Sequence, residues 1–522
     1  MNELSTIDQP VSFGERLHHH AKERDAANAV TVIDGRTGEG LFPTTASWME
    51  LDGLVDRAAS VVLAHLARVP ETEAPTKSTV VGIGLRNGMA HIVATLACWR
   101  AGVTVLPFDP AQPAARADDV LRRAGARFAV VEDGMAADAT PTIERIAFER
   151  AAMAASAAHV VDRVPRPGKI MQSGGSTGTP KLMADDLPWA RVPGRSWGKV
   201  APALGFRPNQ TQLVAAAMSH NAALTWAQMG LFEGHRLIVL ESFDAERAMA
   251  AIETHRVEFL LAVPTMMVRM ADLPRIEARD FSSLVSFYHT GAPCAAWLKR
   301  RWIEILGPDR IFEMYGSGEN VGQTIIAGRD WLAHPHSVGR PFETEVRVRD
   351  AEGRQLPPGE VGELFMRRVE TGGAVRYLDP AQQMRVDDEG FTSIGDMAFV
   401  DADGWVHLAG RRDDVINTGG VKVHPEKIEA ALLSHPSVRD VVVVGAPNRD
   451  WGEQVHAVVE LEDQAPEVDL AALRRHCADQ LAAAEMPKGL TIVAALPRDG
   501  FGKVRRRAVA AVSPAETKPR DV

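Results

Sequence analysis

The stretch MQSGGSTGTPKL, residues 171–182, constrains the fold more than any other part of the chain. It places glycines, hydroxyl side chains and one lysine, Lys181, in a single loop. Glycines let backbone N–H groups approach an anion closely, while the hydroxyls add donors and the lysine adds positive charge. The pattern favours a polyphosphate-binding loop over the alternative, a flexible polar linker. The predicted contacts are Ser173, Gly174, Gly175, Ser176, Thr177, Gly178 and Lys181.

The spacing of these residues matches neither GxxxxGK[ST] nor GxGxxG, so neither a Walker loop nor a dinucleotide-binding turn is indicated. Around the loop, short β-branched runs at 78–85, 128–132 and 236–240 alternate with alanine-rich helical stretches. This order predicts parallel α/β layers. Residues 90–102 have apolar residues at helical spacing before a strand-like run, which predicts one βαβ unit. Residues 140–144 are predicted to be a surface loop.

A domain boundary is predicted near residue 412. In FVDADGWVHLAGRRDD, residues 399–414, Asp403-Gly404 is a turn signal between two strand-like segments. Beyond it the pattern is helix, strand, strand, helix and strand, which predicts a compact α+β domain. The chain is therefore divided into residues 1–412 and 413–522.

Composition limits the class of protein. The chain has 522 residues, 45% of them hydrophobic, enough for two or more buried cores. A net charge of -10 provides no broad positive field, so nucleic acid is not expected as a partner. Three scattered cysteines and no long apolar segment predict a soluble, cytoplasmic protein without a membrane span. The triplet His18, His19 and His20 is predicted to be a solvated helix face rather than a metal site.

Five further motifs follow the 171–182 loop in order. They are HTGAP at 289–293, EMYGSGEN at 313–320, SIGD at 393–396, GRRDDVINTGGVKVHPEKIE at 410–429 and GFGKVRR at 500–506. With the loop, they resemble the signature of the adenylate-forming superfamily, which includes acyl-CoA synthetases, aryl-acid ligases and luciferases. The resemblance implies an α/β fold. A large N-terminal domain of stacked sheets and helices would carry a β-rich subdomain, followed by a small mobile C-terminal α+β domain.

The resemblance also implies an activity and its cofactors. A small-molecule carboxylic acid and ATP would form an acyl-AMP, and coenzyme A would then accept the acyl group. Cations and donors are needed where negative charge accumulates on the phosphates. By resemblance, Glu319 holds Mg²⁺ and Lys503 bridges the carboxylate and the α-phosphate, while Thr177 acts with Lys181 on the terminal phosphates. The implied adenosine and phosphate contacts are Gly291, Ala292, Pro293, Tyr315, Gly316, Ser317, Asp396 and Arg411.

A hinge is implied at Asp413. By resemblance the small domain rotates about this residue, because Lys503 is needed during adenylation and obstructs the incoming thiol afterwards. After rotation the INTGGVK segment would face the acyl-adenylate, and its glycines leave room for a pantetheine arm. The implied coenzyme A contacts are Gly419, Gly420 and Lys422.

Within the superfamily, the sequence is most similar to bacterial bile-acid, steroid-acid and related acyl-CoA ligases. Residues 262–274, 282–319 and 331–341 carry this likeness. By resemblance, His220 gates the acyl tunnel and helps to place the carboxylate. The expected tunnel residues are Asn221, Trp226, Met229, His289, Thr290 and Gly318.

Two departures leave the acceptor open. Gly318 stands where the family has a threonine, and AAAEMPKG, residues 482–489, lacks the tyrosine–lysine pair of related CoA ligases. One alternative is an adenylating enzyme of secondary metabolism with an amine or a carrier protein as acceptor. Another is a diazotase that activates nitrite for an aryl amine. A nucleotide-binding regulator without activity is opposed by the presence of the catalytic residues. Assembly as a homodimer is left open.

Overall fold

The computed structural model describes residues 9–33, 40–69, 78–135, 137, 140–173, 180–194, 197–369, 375–448, 451–462, 465–466, 468–498, 504, 506 and 509. Helices and strands alternate through most of the N-terminal part. Among the described residues the α-helices are Phe13–Glu23, Trp48–Leu66, Met89–Arg100, Ala114–Ala124, Arg145–Ala154, Val200–Ala203, Asn221–Phe232, Ala245–His255, Pro264–Ala271, Ala296–Leu306, Gly328–Ala333, Pro425–Leu433 and Leu470–His476. Short 3-10 helices cover Ile276–Ala278 and Arg412–Asp414.

A mixed sheet lies at the centre of the larger part. Its inner strands run parallel and its edge strands antiparallel. Near-continuous apolar runs such as RLIVL are typical of strands covered on both faces, and four of these five residues are buried. In the described chain, the spatial order is Arg340–Pro341, Gln323–Ala327, Ile311–Gly316, Ser286–His289, Phe259–Ala262, Thr211–Val214, Arg236–Leu240, Asn28–Ile33 and Thr45–Ser47.

A second, fully parallel sheet carries the predicted βαβ unit, which the structure confirms. Helix Met89–Arg100 is buried along its whole length, and Gly102 follows it at φ +78° before the next strand. The loop predicted at 140–144 is wrong, because part of it is an edge strand that pairs in parallel with its neighbour. Pro141 immediately precedes that strand, where its missing N–H costs no ladder hydrogen bond. In spatial order the strands are Thr104–Pro107, Val80–Gly84, Ala126–Val131 and Thr142–Glu144.

Antiparallel strands build the β-rich region. The predicted hairpin is confirmed, with strands Asp396–Val400 and Val406–Arg411 joined through Gly404 at φ +86°. The other strands of its sheet are Thr344–Arg349, Gly362–Arg368, Arg385–Val386 and Thr392–Ser393. A smaller sheet contains Met171–Ser173, Lys181–Ala184 and Arg376–Tyr377, and Val11–Ser12 pairs with Ala190–Arg191.

The C-terminal part has its own hydrophobic core, as expected of a separate domain. The predicted boundary falls in the 3-10 helix Arg412–Asp414, between a strand of the β-rich sheet and a strand of this part. That boundary and the mobility of the small domain stay predictions. The strands of this part are Ile416–Thr418, Val421–Val423, Val438–Asn448, Gly452–Leu461 and Gly489–Val493.

The predicted α/β class, with a large N-terminal and a small C-terminal domain, is confirmed. The prediction of a solvated face for the histidine triplet is wrong for His20. Its side chain is fully buried, with Nε2 3.0 Å from the carbonyl oxygen of Phe232. Burial, then the charge of Arg16, lowers the pKa of His20 to about 3, so the ring is neutral. None of the helices among the described residues has the length and apolar content to cross a membrane.

Candidate active site

A large cavity lies beside the carboxyl ends of the parallel strands, where α/β proteins commonly bind ligands. Its volume is about 2900 Å³. Residues 290–293 follow strand Ser286–His289 and form part of its wall. The hydroxyl of Thr290 donates to the carbonyl oxygen of Met314 at 2.8 Å, which holds this loop against the neighbouring strand Ile311–Gly316.

A tyrosine, a carboxylate and a guanidinium form one hydrogen-bonded group at the cavity. Asp396 and Arg411 are cross-strand partners, and Arg411 Nη1 donates to Asp396 Oδ1 at 2.7 Å. Tyr315 Oη donates to the other carboxylate oxygen at 2.5 Å. Burial, then the charge of Asp396, raises the pKa of Tyr315 well above its ordinary value, so the hydroxyl stays a donor. Because a carboxylate has about four acceptor sites, Asp396 can still accept hydrogen bonds from a diol.

Lys181 and Glu319 both contact the same tyrosine, Tyr377. Tyr377 Oη donates to Glu319 Oε1 at 2.8 Å, and Lys181 Nζ lies 4.8 Å from the centre of the tyrosine ring. Antiparallel pairing of Lys181–Ala184 with Arg376–Tyr377 places Tyr377 opposite Met183, on the strand that begins with Lys181. Sequence analysis missed Tyr377. The sequence offered one indication of its importance, which is that the chain has only three tyrosines in 522 residues.

The loop after strand Ile311–Gly316 is tightly packed. Ser317 Oγ is buried and has no hydrogen-bond partner within the described part of the chain. At Gly318, an added Cβ would lie 2.2 Å from Met183 Cε and 3.8 Å from Asn221 Nδ2. Gly318, which stands where a threonine is expected, therefore leaves the space that the Met183 side chain occupies.

Helix Asn221–Phe232 forms another wall of the cavity. His220 is its N-cap residue, in extended conformation, and its carbonyl accepts the Leu224 N–H at 3.0 Å. Trp226 also lines the cavity. His289 does not. It is 0% exposed, and neither ring nitrogen has a hydrogen-bond partner among the described residues.

The structure brings together most of the predicted site residues that it describes. Those lining the cavity are Lys181, His220, Asn221, Trp226, Thr290, Gly291, Ala292, Pro293, Tyr315, Gly316, Ser317, Gly318, Glu319, Asp396 and Arg411. Gly419, Gly420 and Lys422 instead lie at the turn joining Ile416–Thr418 and Val421–Val423, outside the cavity wall. Buried Met229 and His289 are also outside it. The residues Gly174, Gly175, Ser176, Thr177, Gly178 and Lys503, and the side chain of Ser173, lie outside the described residues.

At the predicted metal site, the described part of the chain supplies one carboxylate, that of Glu319. Across the described ranges, no group of three or more His, Cys, Asp or Glu side chains could hold a metal ion. Mg²⁺, however, is commonly bound by one or two carboxylates together with substrate phosphates and waters. Glu319, which lines the cavity, fits one position in such a shell.

A large cavity at the carboxyl ends of parallel strands, lined by a carboxylate with acceptor sites for a diol, is typical of a nucleotide-binding α/β enzyme. The chain belongs to the AMP-binding enzyme family, whose model matches residues 18–372. The model of the AMP-binding enzyme C-terminal domain matches residues 427–503. The superfamily resemblance is thus confirmed, while the likeness to bile-acid ligases stays a prediction.

Relatives and solved structures agree with this assignment. A fatty acid–[acyl-carrier-protein] ligase of Streptomyces coeruleorubidus is 29% identical over 441 residues, 78% of this chain and 82% of that protein. A feruloyl-CoA synthase of Amycolatopsis sp is 32% identical over 346 residues, 64% of this chain and 67% of that protein. ATP-bound MatB from Rhodopseudomonas palustris has a TM-score of 0.81 at 25% identity, over 97% of this chain and 99% of that one. The amide bond synthetase McbA from Marinactinospora thermotolerans, at 24% identity, has a similar fold, with a TM-score of 0.81 over 96% and 99%.

Proposed function

We propose that this enzyme uses ATP to convert a carboxylic acid into an acyl-AMP and then transfers the acyl group to coenzyme A. The observation that carries the proposal is the Tyr315–Asp396–Arg411 group, which lies in the same cavity as Glu319 and Lys181. Asp396 and Arg411 suit a ribose, Tyr315 suits the adjoining adenine, and Glu319 and Lys181 suit phosphates and their metal ion. A feruloyl-CoA synthase and a fatty acid ligase among the relatives support an acid as the substrate.

The described residues fit ATP at several points. Asp396 accepts from the ribose hydroxyls while Arg411 donates to the same sugar, and the 290–293 strip with Tyr315 receives the adenine. Ser317 Oγ, buried without a partner in the described chain, is placed to donate to a phosphate oxygen. It supplies the hydroxyl that Gly318 lacks. Mg²⁺, held by Glu319, would neutralise charge on the phosphates.

The phosphate loop and the small domain complete the site. By the family resemblance, residues 173–178, most of which lie outside the described residues, would supply N–H and hydroxyl donors to the terminal phosphates, and Lys181 beside Tyr377 would add charge. Lys503 neutralises the attacking carboxylate and the α-phosphate, which are both negative. His220 orients the carboxylate at the start of helix Asn221–Phe232. Rotation about Asp413 then exchanges Lys503 for the coenzyme A contacts Gly419, Gly420 and Lys422. A cytoplasmic location and a homodimer stay predictions.

Product analysis tests this proposal and its alternatives. The purified enzyme is incubated with ATP, Mg²⁺ and a panel of aliphatic, aromatic and steroid acids, with and without coenzyme A, and products are identified by mass spectrometry. We expect acyl-AMP without coenzyme A and an acyl thioester with it. If the acyl-AMP is consumed only when an amine or a carrier-protein thiol is added, that compound and not coenzyme A is the acceptor. A product that forms only with nitrite and an aryl amine would show that the enzyme is a diazotase and does not activate carboxylic acids.

A further inference from the structure

A buried carboxylate that none of the six sequence motifs contains lies near the proposed ribose contacts. Glu363 belongs to strand Gly362–Arg368, lines the cavity and has a side chain that is only 6% exposed. In its sheet it is the cross-strand partner of Met397, the residue that follows Asp396. A carboxylate is costly to bury unless other groups satisfy its charge and its oxygens. The donors around Glu363 therefore indicate what it holds in place.

Three side chains donate to Glu363. Ser393 Oγ donates to Glu363 Oε1 at 2.6 Å, and Arg412 Nη1 donates to the same oxygen at 3.2 Å. Arg385 Nη1 donates to the other oxygen, Oε2. Two half-exposed guanidinium groups thus neutralise one buried carboxylate, and both of its oxygens are fixed.

The turn that Glu363 holds leads directly into Asp396. Ser393 Oγ, which donates to Glu363, also accepts from the backbone N–H of Gly395 at 3.0 Å. Gly395 has φ +87°, a conformation that favours glycine, and its carbonyl accepts from the backbone N–H of Arg412 at 2.8 Å. A hydroxyl has one proton and two lone pairs. Because that proton is directed to Glu363, the Ser393 oxygen presents a lone pair to the turn.

The same turn holds the second proposed ribose contact. Arg411 Nη2 donates to the carbonyl oxygen of Ile394 at 2.9 Å, while its Nη1 donates to Asp396. A shift of residues 393–395 would therefore displace both the carboxylate and the guanidinium. Binding groups must be held to within about 0.5 Å of their productive geometry by the residues behind them. Glu363 occupies that supporting position for both groups.

We propose that Glu363 is a positioning residue for the ribose-binding site and acts through Ser393. Its carboxylate fixes the turn at 393–395, and the turn sets the geometry with which Asp396 and Arg411 meet the sugar hydroxyls. The inference rests on the proposed binding of ATP in this cavity. Glu363 then controls how strongly the enzyme distinguishes ribose from deoxyribose.

Binding of ATP and of 2′-deoxy-ATP tests the inference. Isothermal titration calorimetry measures the dissociation constant of each nucleotide with Mg²⁺ and without any acid. We expect the wild type to bind ATP about tenfold or more tightly than 2′-deoxy-ATP, because Asp396 loses a hydrogen bond when the 2′-hydroxyl is absent. Glu363→Ala should lower that ratio to about threefold or less, mainly by weakening ATP. Glu363→Gln, whose amide oxygen can still accept from Ser393, should retain an intermediate ratio.

Ser393→Ala tests the route of the effect. This variant removes the hydroxyl between Glu363 and the turn, and it should lower the ratio by a similar factor. The double variant should show little further loss, because residues of one hydrogen-bond network do not act additively. Glu345→Ala is the matched control. Glu345 lies in the same sheet but outside the cavity wall, where it pairs with Arg367 at 2.7 Å, and the variant should keep the wild-type ratio.

The outcomes separate the inference from the proposed function. If Glu363→Ala does not fold, Glu363→Gln and Ser393→Ala carry the same test. An unchanged ratio in Glu363 and Ser393 variants, or equal weakening of both nucleotides, would overturn the inference and leave ATP binding intact. A wild type that binds the two nucleotides equally would overturn the ribose site on which the inference rests. A wild type that binds neither would overturn the proposed function as well.

Discussion

Tyr315 Oη donates a hydrogen bond of 2.5 Å to Asp396 Oδ2 across 81 positions of the chain. The contact joins the central mixed sheet to the antiparallel sheet of the β-rich region. Since Arg411 Nη1 holds the other oxygen at 2.7 Å, the carboxylate is fixed before any nucleotide arrives. A fixed acceptor loses little conformational entropy when it binds a sugar.

Asp396→Asn tests the ribose assignment. The asparagine side chain has one acceptor oxygen in place of the two carboxylate oxygens, and it weakens the contacts with Tyr315 and Arg411. Hydrogen bonds to charged groups contribute about 1.5–3 kcal/mol, so we expect KM for ATP to rise about 10- to 100-fold. Pyrophosphate exchange at varied ATP concentration measures it. Asp403→Asn, at the exposed hairpin turn, is the matched control and should behave as wild type. An unchanged KM would remove Asp396 from the nucleotide site.

Lys503→Ala tests the assignment of the adenylation lysine. We expect acyl-AMP formation to fall by about 100-fold or more, because one preorganised charge at the reacting centre is lost. Thioester formation from supplied acyl-AMP should persist, since that step requires Lys503 to be withdrawn. Equilibrium binding of ATP, measured by calorimetry, should change little. Equal loss of both half-reactions would contradict a role confined to adenylation.

Gly318→Thr tests the packing against Met183. The added Cβ would lie 2.2 Å from Met183 Cε, so the methionine side chain, which lines the cavity, must shift. We expect kcat/KM for the acid to fall about tenfold while KM for ATP stays constant, as overpacking costs about 1–3 kcal/mol. The double variant with Met183→Ala should recover most of the loss. If Met183→Ala gives no recovery, the two side chains do not compete for space.

The pH profile tests the charge of Lys169. Burial lowers its pKa to about 7. The charge of Asp185 opposes this shift and the smaller effect of Arg191 adds to it, while the neutral Asn221 and Thr225 also face the amine. Urea unfolding at pH 7 and at pH 9 measures how this group affects the free energy of unfolding, and Lys169→Met should remove its contribution to the pH dependence. The same lowered pKa means that the unfolded chain binds the extra proton, so this group makes folding more favourable as pH rises from 7.

A buried ion-pair cluster tests the stability of the N-terminal part. Arg100 is 0% exposed and donates to Asp52 at 2.5 Å and to Asp56 at 2.8 Å. Arg100→Leu leaves two carboxylates without their cation, and breaking a buried pair costs about 3–5 kcal/mol. Arg122→Leu removes the exposed pair with Asp119 and should cost less than about 1 kcal/mol. Urea unfolding followed by tryptophan fluorescence compares them, and equal losses would show that the buried cluster contributes nothing special.

Local patterns predicted much of the fold because they record burial and turn geometry directly. The apolar run at Arg236–Leu240 and the Asp403-Gly404 turn each specify their element without help from distant residues. Strand Thr142–Glu144 was missed, since an edge strand gains its pairing from a neighbour rather than from its own sequence. His20 was misjudged because its burial depends on Phe232, more than 200 positions away.

The site shows the same division. Motif residues such as Tyr315 and Asp396 could be assigned to one site from sequence because their motifs resemble those of the adenylate-forming superfamily, and the structure places both at the same cavity. Tyr377 and Lys169 could not, since each acts through a contact made by tertiary folding, with Glu319 and with Asn221 respectively. An isolated lysine before an apolar run is usually solvated, and only the structure shows that Lys169 lines the cavity.

Acid-dependent exchange of labelled pyrophosphate into ATP decides whether this enzyme activates carboxylic acids. At least one acid of the panel should support exchange that requires ATP and Mg²⁺, proceeds without coenzyme A, and disappears in Lys503→Ala. If every acid fails to support exchange while the wild type still binds ATP, the chain does not form acyl-adenylates.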